Sequence, residues 1–203
     1  MYPTIKTYCD KLVTQFDSIS NERKLLLEKI SNYISKKVAI NQTVHLVYIC
    51  THNSRRSHFG QVWASVAANY YSAKNINSFS GGTEATAFNV NAINALKKLG
   101  FNIKKINEDA NAIYHVYFDD NEKPEVCFSK LYDDAKNPSK DFAAIMTCGE
   151  AEENCPIIPN NDLRITTTYN DPKEFDNTPL QDQKYNERCQ QIALETLYVF
   201  SKI

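Results

Sequence analysis

Cys50 is followed by five residues and then by Arg56 and Ser57, in the run CTHNSRRS. A cysteine at that distance from an arginine suits attack on a tetrahedral oxyanion. The guanidinium of Arg56 can grip two oxygens at once, and the same positive field favours the thiolate of Cys50, which is the nucleophile. Ser57 can donate its hydroxyl hydrogen to that sulfur. Asn53 tolerates a left-handed backbone and can brace the loop. The main chain of Thr51, His52, Asn53, Ser54, Arg55 and Arg56 is expected to supply the N–H groups of an anion cradle.

Two further groups bear on the same chemistry. Asp171-Pro172 lies late in the chain. A carboxyl group on a proline-stiffened turn can protonate a departing oxygen, and Asp171 is read as that acid, with Asp134, Asp162 and Asp176 as surface carboxylates. Cys148 and Cys155 flank the polar stretch GEAEEN and are followed by Pro156. A zinc site needs more ligands than this pair offers, the Cys-x6-Cys spacing is unusual for one, and no histidine lies nearby. No metal and no cofactor are expected. Cys9, Cys127 and Cys189 read as structural: Cys189 lies on the apolar face of a helix and Cys127 beside Phe128 and Leu131.

These side chains require elements to hold them. Val44–Ile49 (VHLVYI) is a β-branched apolar run and reads as a buried strand. A helix pattern follows: Phe59, Val62, Trp63, Val66, Ala67 and Tyr70. A nucleophile between such a strand and such a helix sits where open α/β sheets bind ligands, outside the carboxyl ends of the strands. A second strand is expected at 77–80, stopped by Gly81-Gly82, and a helix from about Asn89 to Gly100. A third strand is expected at 112–118, a fourth at 142–147 (FAAIMT), and a last helix from about Gln181 to Ser201. Residues 119–140 and 148–179 read as irregular. The alternation of strands and helices predicts an α/β domain with a parallel sheet over 43–203. Residues 1–42 read as an N-terminal helical extension, with Ser20 as a cap and Leu26, Ile30, Tyr33 and Ile34 on one face.

The 203 residues are 42% hydrophobic and 23% charged with a net charge of −1. That balance gives no bulk attraction to nucleic acid or to a membrane surface, so any anion must be held locally. Neither a signal peptide nor an 18-residue apolar run is read from the chain, and a cytoplasmic location is the expectation. There, clustered cysteines favour catalytic or redox roles over structural disulfides.

The motif resembles that of the low-molecular-weight protein tyrosine phosphatases and of the thioredoxin-coupled arsenate reductases that share their fold. Their loop usually reads C-x-G-N-S/I-x-R-S. This chain keeps Cys50, Asn53, Ser54, Arg56 and Ser57 and has His52 in place of the usual glycine. The resemblance extends over 44–203 and includes Ser80-Gly81-Gly82-Thr83-Glu84 and the helix start at Asn89. It implies a four-stranded parallel sheet with helices on both faces, and Asp171 as the general acid. The run Cys148-Gly149 to Cys155-Pro156 resembles the redox segment of the arsenate reductases, which plain phosphatases lack. It implies a relay from Cys50 to Cys148 and then to Cys155, with thioredoxin as reductant. A loop-supporting cation is known in this family, but its expected acidic position holds Gln61 here, so none is predicted. Two other readings stand beside the reductase: a phosphatase whose cysteine pair protects Cys50 from overoxidation, and an oxyanion-binding module without turnover.

Overall fold

The computed structural model describes residues 1–154 and 157–203. Its centre is a parallel sheet of four strands: β1 (Val44–Cys50), β2 (Ile76–Gly82), β6 (Phe142–Met146) and β7 (Asn161–Thr166), in the order β2-β1-β6-β7. A second, antiparallel sheet is built from β3 (Asn102–Lys105), β4 (Tyr114–Tyr117) and β5 (Glu125–Cys127). The helices are α1 (Pro3–Val13), α2 (Asn21–Ala39), α3 (Arg56–Tyr70), α4 (Val90–Lys98), α5 (Gly149–Asn154) and α6 (Gln181–Phe200).

Side chains of β1 alternate between two cores, as the period of a strand requires. Val44, Leu46 and Tyr48 enter the larger one, with Phe59, Val62, Trp63 and Val66 of α3 and Cys189, Ile192, Ala193 and Phe200 of α6. Val47 and Ile49 face the other side, with Ala144 and Met146 of β6 and Ala151 of α5, and Cys50, where the strand ends and the alternation breaks, packs with this second cluster. The larger core runs on without a break into the N-terminal helices, whose Ile5, Cys9, Leu12, Leu27, Ile30 and Ile34 belong to it. Ser20 caps α2 by accepting the N–H of Arg23, and Gly100 ends the turn after α4 with φ +98°, a conformation that suits glycine.

The four-stranded parallel sheet agrees with the sequence reading, but its membership does not. The strand expected at 112–118 is shorter and belongs to the antiparallel sheet. The fourth parallel strand is β7, inside a stretch expected to be irregular; that stretch also holds α5 and a 3-10 turn over Pro172–Phe175. β7 is an edge strand, half-buried and polar (NDLRIT), so it shows none of the apolar continuity of a central strand. Likewise β5, three residues long, lies in 119–140. Among the described residues, no helix is long and apolar enough to cross a membrane.

Helix α3 lies close on β1 because Gly60 has no side chain: a Cβ there would stand 2.2 Å from the Tyr48 ring. Gly60→Ala is therefore expected to destabilise by about 1–3 kcal/mol through overpacking, seen as a lower urea midpoint with an unchanged slope.

Candidate active site

The carboxyl ends of β1, β2, β6 and β7 meet at one edge of the sheet. Cys50 ends β1, Gly82 ends β2, Cys148 follows β6, and Tyr169 and Asp171 follow β7. Main-chain hydrogen bonds continue past the strands: Thr147 N–H donates to Ile49 O at 2.7 Å, Thr167 N–H to Met146 O at 2.8 Å, and Tyr169 N–H to Thr147 O at 3.1 Å. The predicted groups thus arrive at one place from four strands.

Residues 51–55 connect β1 to α3 as an inside-out loop. Its carbonyls turn outward, and those of Thr51, His52 and Ser54, with that of Cys50 before them, find donors. Cys50 O accepts from Thr83 N–H at 3.2 Å, Thr51 O from Glu84 N–H at 2.8 Å, and Ser54 O from Asn89 N–H at 3.0 Å. His52 O accepts from the hydroxyls of Ser129 (2.8 Å) and Thr86 (3.2 Å). The N–H groups of residues 52–57 have no backbone acceptor among the described residues and open onto the start of α3, the arrangement that binds anions. Gly82 permits the close wrap, since a Cβ there would stand 2.7 Å from both Asn53 N and Thr51 O.

Asn53 has φ +43° and its buried amide is used at both ends. Its Oδ1 accepts from Lys130 N–H at 2.9 Å, and its Nδ2 donates to Ser57 Oγ at 2.9 Å. The Ser57 hydroxyl lies 3.1 Å from Cys50 Sγ, within reach to donate its hydrogen to that sulfur when it is a thiolate. The other loop side chains point outward: Ser54 Oγ donates to Ala87 O at 2.7 Å, and His52 Nε2 lies 3.5 Å from Glu84 Oε2. The cradle is therefore main chain and Arg56, not the side chains of His52 or Ser54.

Arg56 Nη1 donates to Tyr169 O at 2.8 Å and Nη2 to Asp171 Oδ2 at 2.5 Å, while its buried Nε has no acceptor among the described residues. Arg55 turns away from the cradle: its Nε donates to Tyr185 Oη at 3.0 Å, and its Nη1 lies 3.6 Å from Asp171 Oδ2. Asp171 caps the 3-10 turn by accepting Lys173 N–H at 3.1 Å. Burial, and after it the hydrogen bond to Asp176, push the Tyr185 phenol up to about 12, so it stays protonated and donates to Asp176 Oδ1 at 2.8 Å. Asp176 thus braces this corner, whereas Asp134 caps a turn at Lys136 N–H and Asp162 pairs with Lys37 and Tyr33.

Cys148 is buried, and its sulfur accepts from Thr51 N–H at 3.2 Å, beside the Thr51 hydroxyl at 3.4 Å. That hydroxyl also donates to Glu150 Oε2 at 3.0 Å. A second thiol thus rests against the residue that follows Cys50. Cys155 lies outside the described residues. Cys9, Cys127 and Cys189 are buried in the large core, and burial pushes all three thiols up, Cys9 and Cys189 to about 12. Gln61 is satisfied at both ends of its amide, accepting from Ser80 Oγ at 2.7 Å and donating to Glu125 Oε2 at 2.8 Å. Among the described residues, no group of three or more His, Cys, Asp or Glu side chains is placed to hold a metal.

Sequence reasoning missed Ser129 and Lys130, which hold the loop from a segment read as irregular, and Tyr169 and Tyr185, which hold the two arginines. Lys130 acts on the loop through its main-chain N–H, which leaves no trace in residue type. Tyr185 was in principle legible as a bulky polar aromatic on the buried face of a helix's first turn.

No family model matches the chain. The fold is the one shared by low-molecular-weight phosphotyrosine phosphatases and arsenate reductases. A phosphatase of that class from Vibrio cholerae O395 superposes with a TM-score of 0.51 at 15% identity, over 78% of this chain and 95% of its own. An arsenate reductase in the phosphate-binding state superposes with a TM-score of 0.52 at 16% identity, over 79% of this chain and 99% of its own. In sequence, the chain is similar to arsenate reductases. That of Halalkalibacterium halodurans is 25% identical over 133 residues, 66% of this chain and 77% of its own length. That of Bacillus subtilis strain 168 is 24% identical over 143 residues, 70% and 84% of the two chains.

The burial of the three core thiols gives a direct expectation. Iodoacetamide at neutral pH modifies Cys50 at least about tenfold faster than Cys9, Cys127 or Cys189, because alkylation follows thiolate character and access. Peptide mass mapping at partial labelling checks the order; comparable labelling of Cys127 would contradict it.

Proposed function

We propose that this protein is an arsenate reductase that uses Cys50 as nucleophile and a relay of thiols ending at Cys155, regenerated by thioredoxin in the cytoplasm. The observation that carries the reading is the position of the Cys148 sulfur, 3.2 Å from the N–H of Thr51. Hydrolysis of a phosphate ester uses no second thiol in its own steps, where such a thiol serves only to protect Cys50 from overoxidation, whereas reduction of a bound oxyanion by a thiol relay requires one.

The chemistry follows from the side chains in place. Arsenate sits on the N–H groups of the loop and on Arg56, whose Nε has no acceptor among the described residues. The Cys50 thiolate forms an S–As bond, and the displaced hydroxyl leaves as water with a proton from Asp171. The Cys148 thiolate then attacks Cys50 Sγ. An S–S bond forms, the S–As bond breaks with its electron pair staying on arsenic, and arsenite departs with arsenic reduced from As(V) to As(III). Attack of the Cys155 thiolate on Cys148 moves the disulfide to Cys148–Cys155 and frees Cys50. A thioredoxin dithiol reduces that disulfide. Thr51 has a part here: its N–H stabilises negative charge on the Cys148 sulfur before the attack.

A second reading, hydrolysis of phosphate monoesters through a cysteinyl-phosphate, is favoured by one observation. The 2.5 Å contact of Arg56 Nη2 with Asp171 Oδ2 supports it, because such hydrolysis also needs a guanidinium and a carboxyl group side by side. The two readings separate on disulfide chemistry. Reduced protein incubated with arsenate without added thiol is expected to yield near-stoichiometric arsenite and a Cys148–Cys155 bond by peptide mass analysis. No arsenite and no arsenate-dependent disulfide would leave the phosphatase. Cys50→Ser is expected to lose turnover of both substrates. Cys155→Ser is expected to allow at most one arsenate turnover per molecule while phosphatase activity stands; equal loss of both sinks the relay.

A further inference from the structure

Residues 1–42 lie outside the stretch whose motifs resemble a known family, yet they reach the oxyanion site. Ser20 caps α2 and fixes its first turn, where Arg23 projects toward α6. Arg23 Nε and Nη2 both donate to Glu195 Oε2, at 2.9 and 2.7 Å. Glu195 is buried, with a side chain only 5% exposed. The same Oε2 accepts the hydroxyl of buried Tyr169 at 2.8 Å, and the Arg23 guanidinium carbon lies 4.9 Å from the centre of the Tyr169 ring. Tyr169 is therefore held at its hydroxyl and on one ring face. Its carbonyl in turn accepts Arg56 Nη1 at 2.8 Å, and Asp171 follows two residues later.

We propose that Arg23 is a positioning residue for the oxyanion seat, acting through Glu195 and Tyr169 on Arg56. The argument is one of charge and rigidity. A carboxylate as buried as Glu195 needs a compensating cation, and Arg23 is the cation bonded to it. The three-way junction at Oε2 fixes the Tyr169 ring, the ring fixes its backbone, and the carbonyl fixes one edge of the guanidinium. Without Arg23, Glu195 loses the cation bonded to it and rearranges, Tyr169 is released, and Arg56 loses an acceptor that sets its plane. An anion gripped bidentately is sensitive to that plane. The N-terminal helices thereby belong to the binding apparatus rather than merely to the packing of the fold.

The inference rests on the reading of this loop as an oxyanion site, and the test separates the two. The probe is inorganic phosphate, and the readout is its protection of Cys50 from iodoacetamide in the full chain, which requires no turnover. Arg23→Met is expected to raise the half-protecting phosphate concentration about tenfold while leaving the alkylation rate without phosphate within about twofold of wild type. Tyr169→Phe is expected to do the same, and the double variant to be no worse than either single one, because the residues act along one path. Lys24→Met, one position along and bonded to none of these groups, is expected to behave as wild type. If Arg23→Met fails to fold, Arg23→Met/Glu195→Met removes both charges, and the tenfold loss is expected there too, because Tyr169 still lacks its acceptor. Wild-type protection in a folded Arg23→Met protein, or losses that multiply in the double variant, overturns the proposal. Absence of phosphate protection in the wild type overturns the oxyanion site itself, and this inference with it.

Discussion

A loop that turns its N–H groups inward must turn its carbonyls outward, and most of the site's surroundings exist to satisfy that requirement. The carbonyls of Cys50, Thr51, His52 and Ser54 would otherwise be left unpaired, each at a cost of roughly 1–3 kcal/mol. The donors come from residues 83–89 and from Ser129. This explains why β2 ends in Gly81-Gly82, why the chain then runs alongside the loop before α4 begins, and why Asn89 both caps α4 and ties Ser54. Asn53 completes the arrangement from within, at a positive φ that few residues accept.

That constraint also accounts for which parts of the molecule were legible in the sequence. Cys50, Arg56 and Ser57 announce themselves because their residue types carry the chemistry and their spacing is set by the turn from strand to helix. β1 and β6 are legible because central parallel strands are apolar on both faces. β7 is not, since an edge strand with half its side chains in water has a mixed pattern. The YHVY strand carries a period-two signal but no information about which sheet it joins. Its antiparallel partners are four and three residues long, too short for a pattern to form.

The groups that hold the site from behind were the least legible. Glu195 lies among Ile192, Ala193, Thr196 and Leu197 on the buried side of α6, and Arg23 on an amphipathic helix resembles any solvated charge. Each residue is ordinary alone. Their significance comes from a contact spanning 172 residues of sequence, and local spacing cannot encode it. The same is true of Lys130, whose backbone rather than side chain touches the loop.

The distribution of sulfur has a further consequence. Cys9, Cys127 and Cys189 are sealed in the large core, with their thiols held protonated by burial. Cys50 and Cys148 belong instead to the smaller cluster on the opposite face of the sheet. The sheet thus acts as insulation between two populations of thiol. Among the described residues, Cys50 shares its cluster with Cys148 and not with Cys9, Cys127 or Cys189, so which thiols lie near one another is set by packing rather than by differences in reactivity.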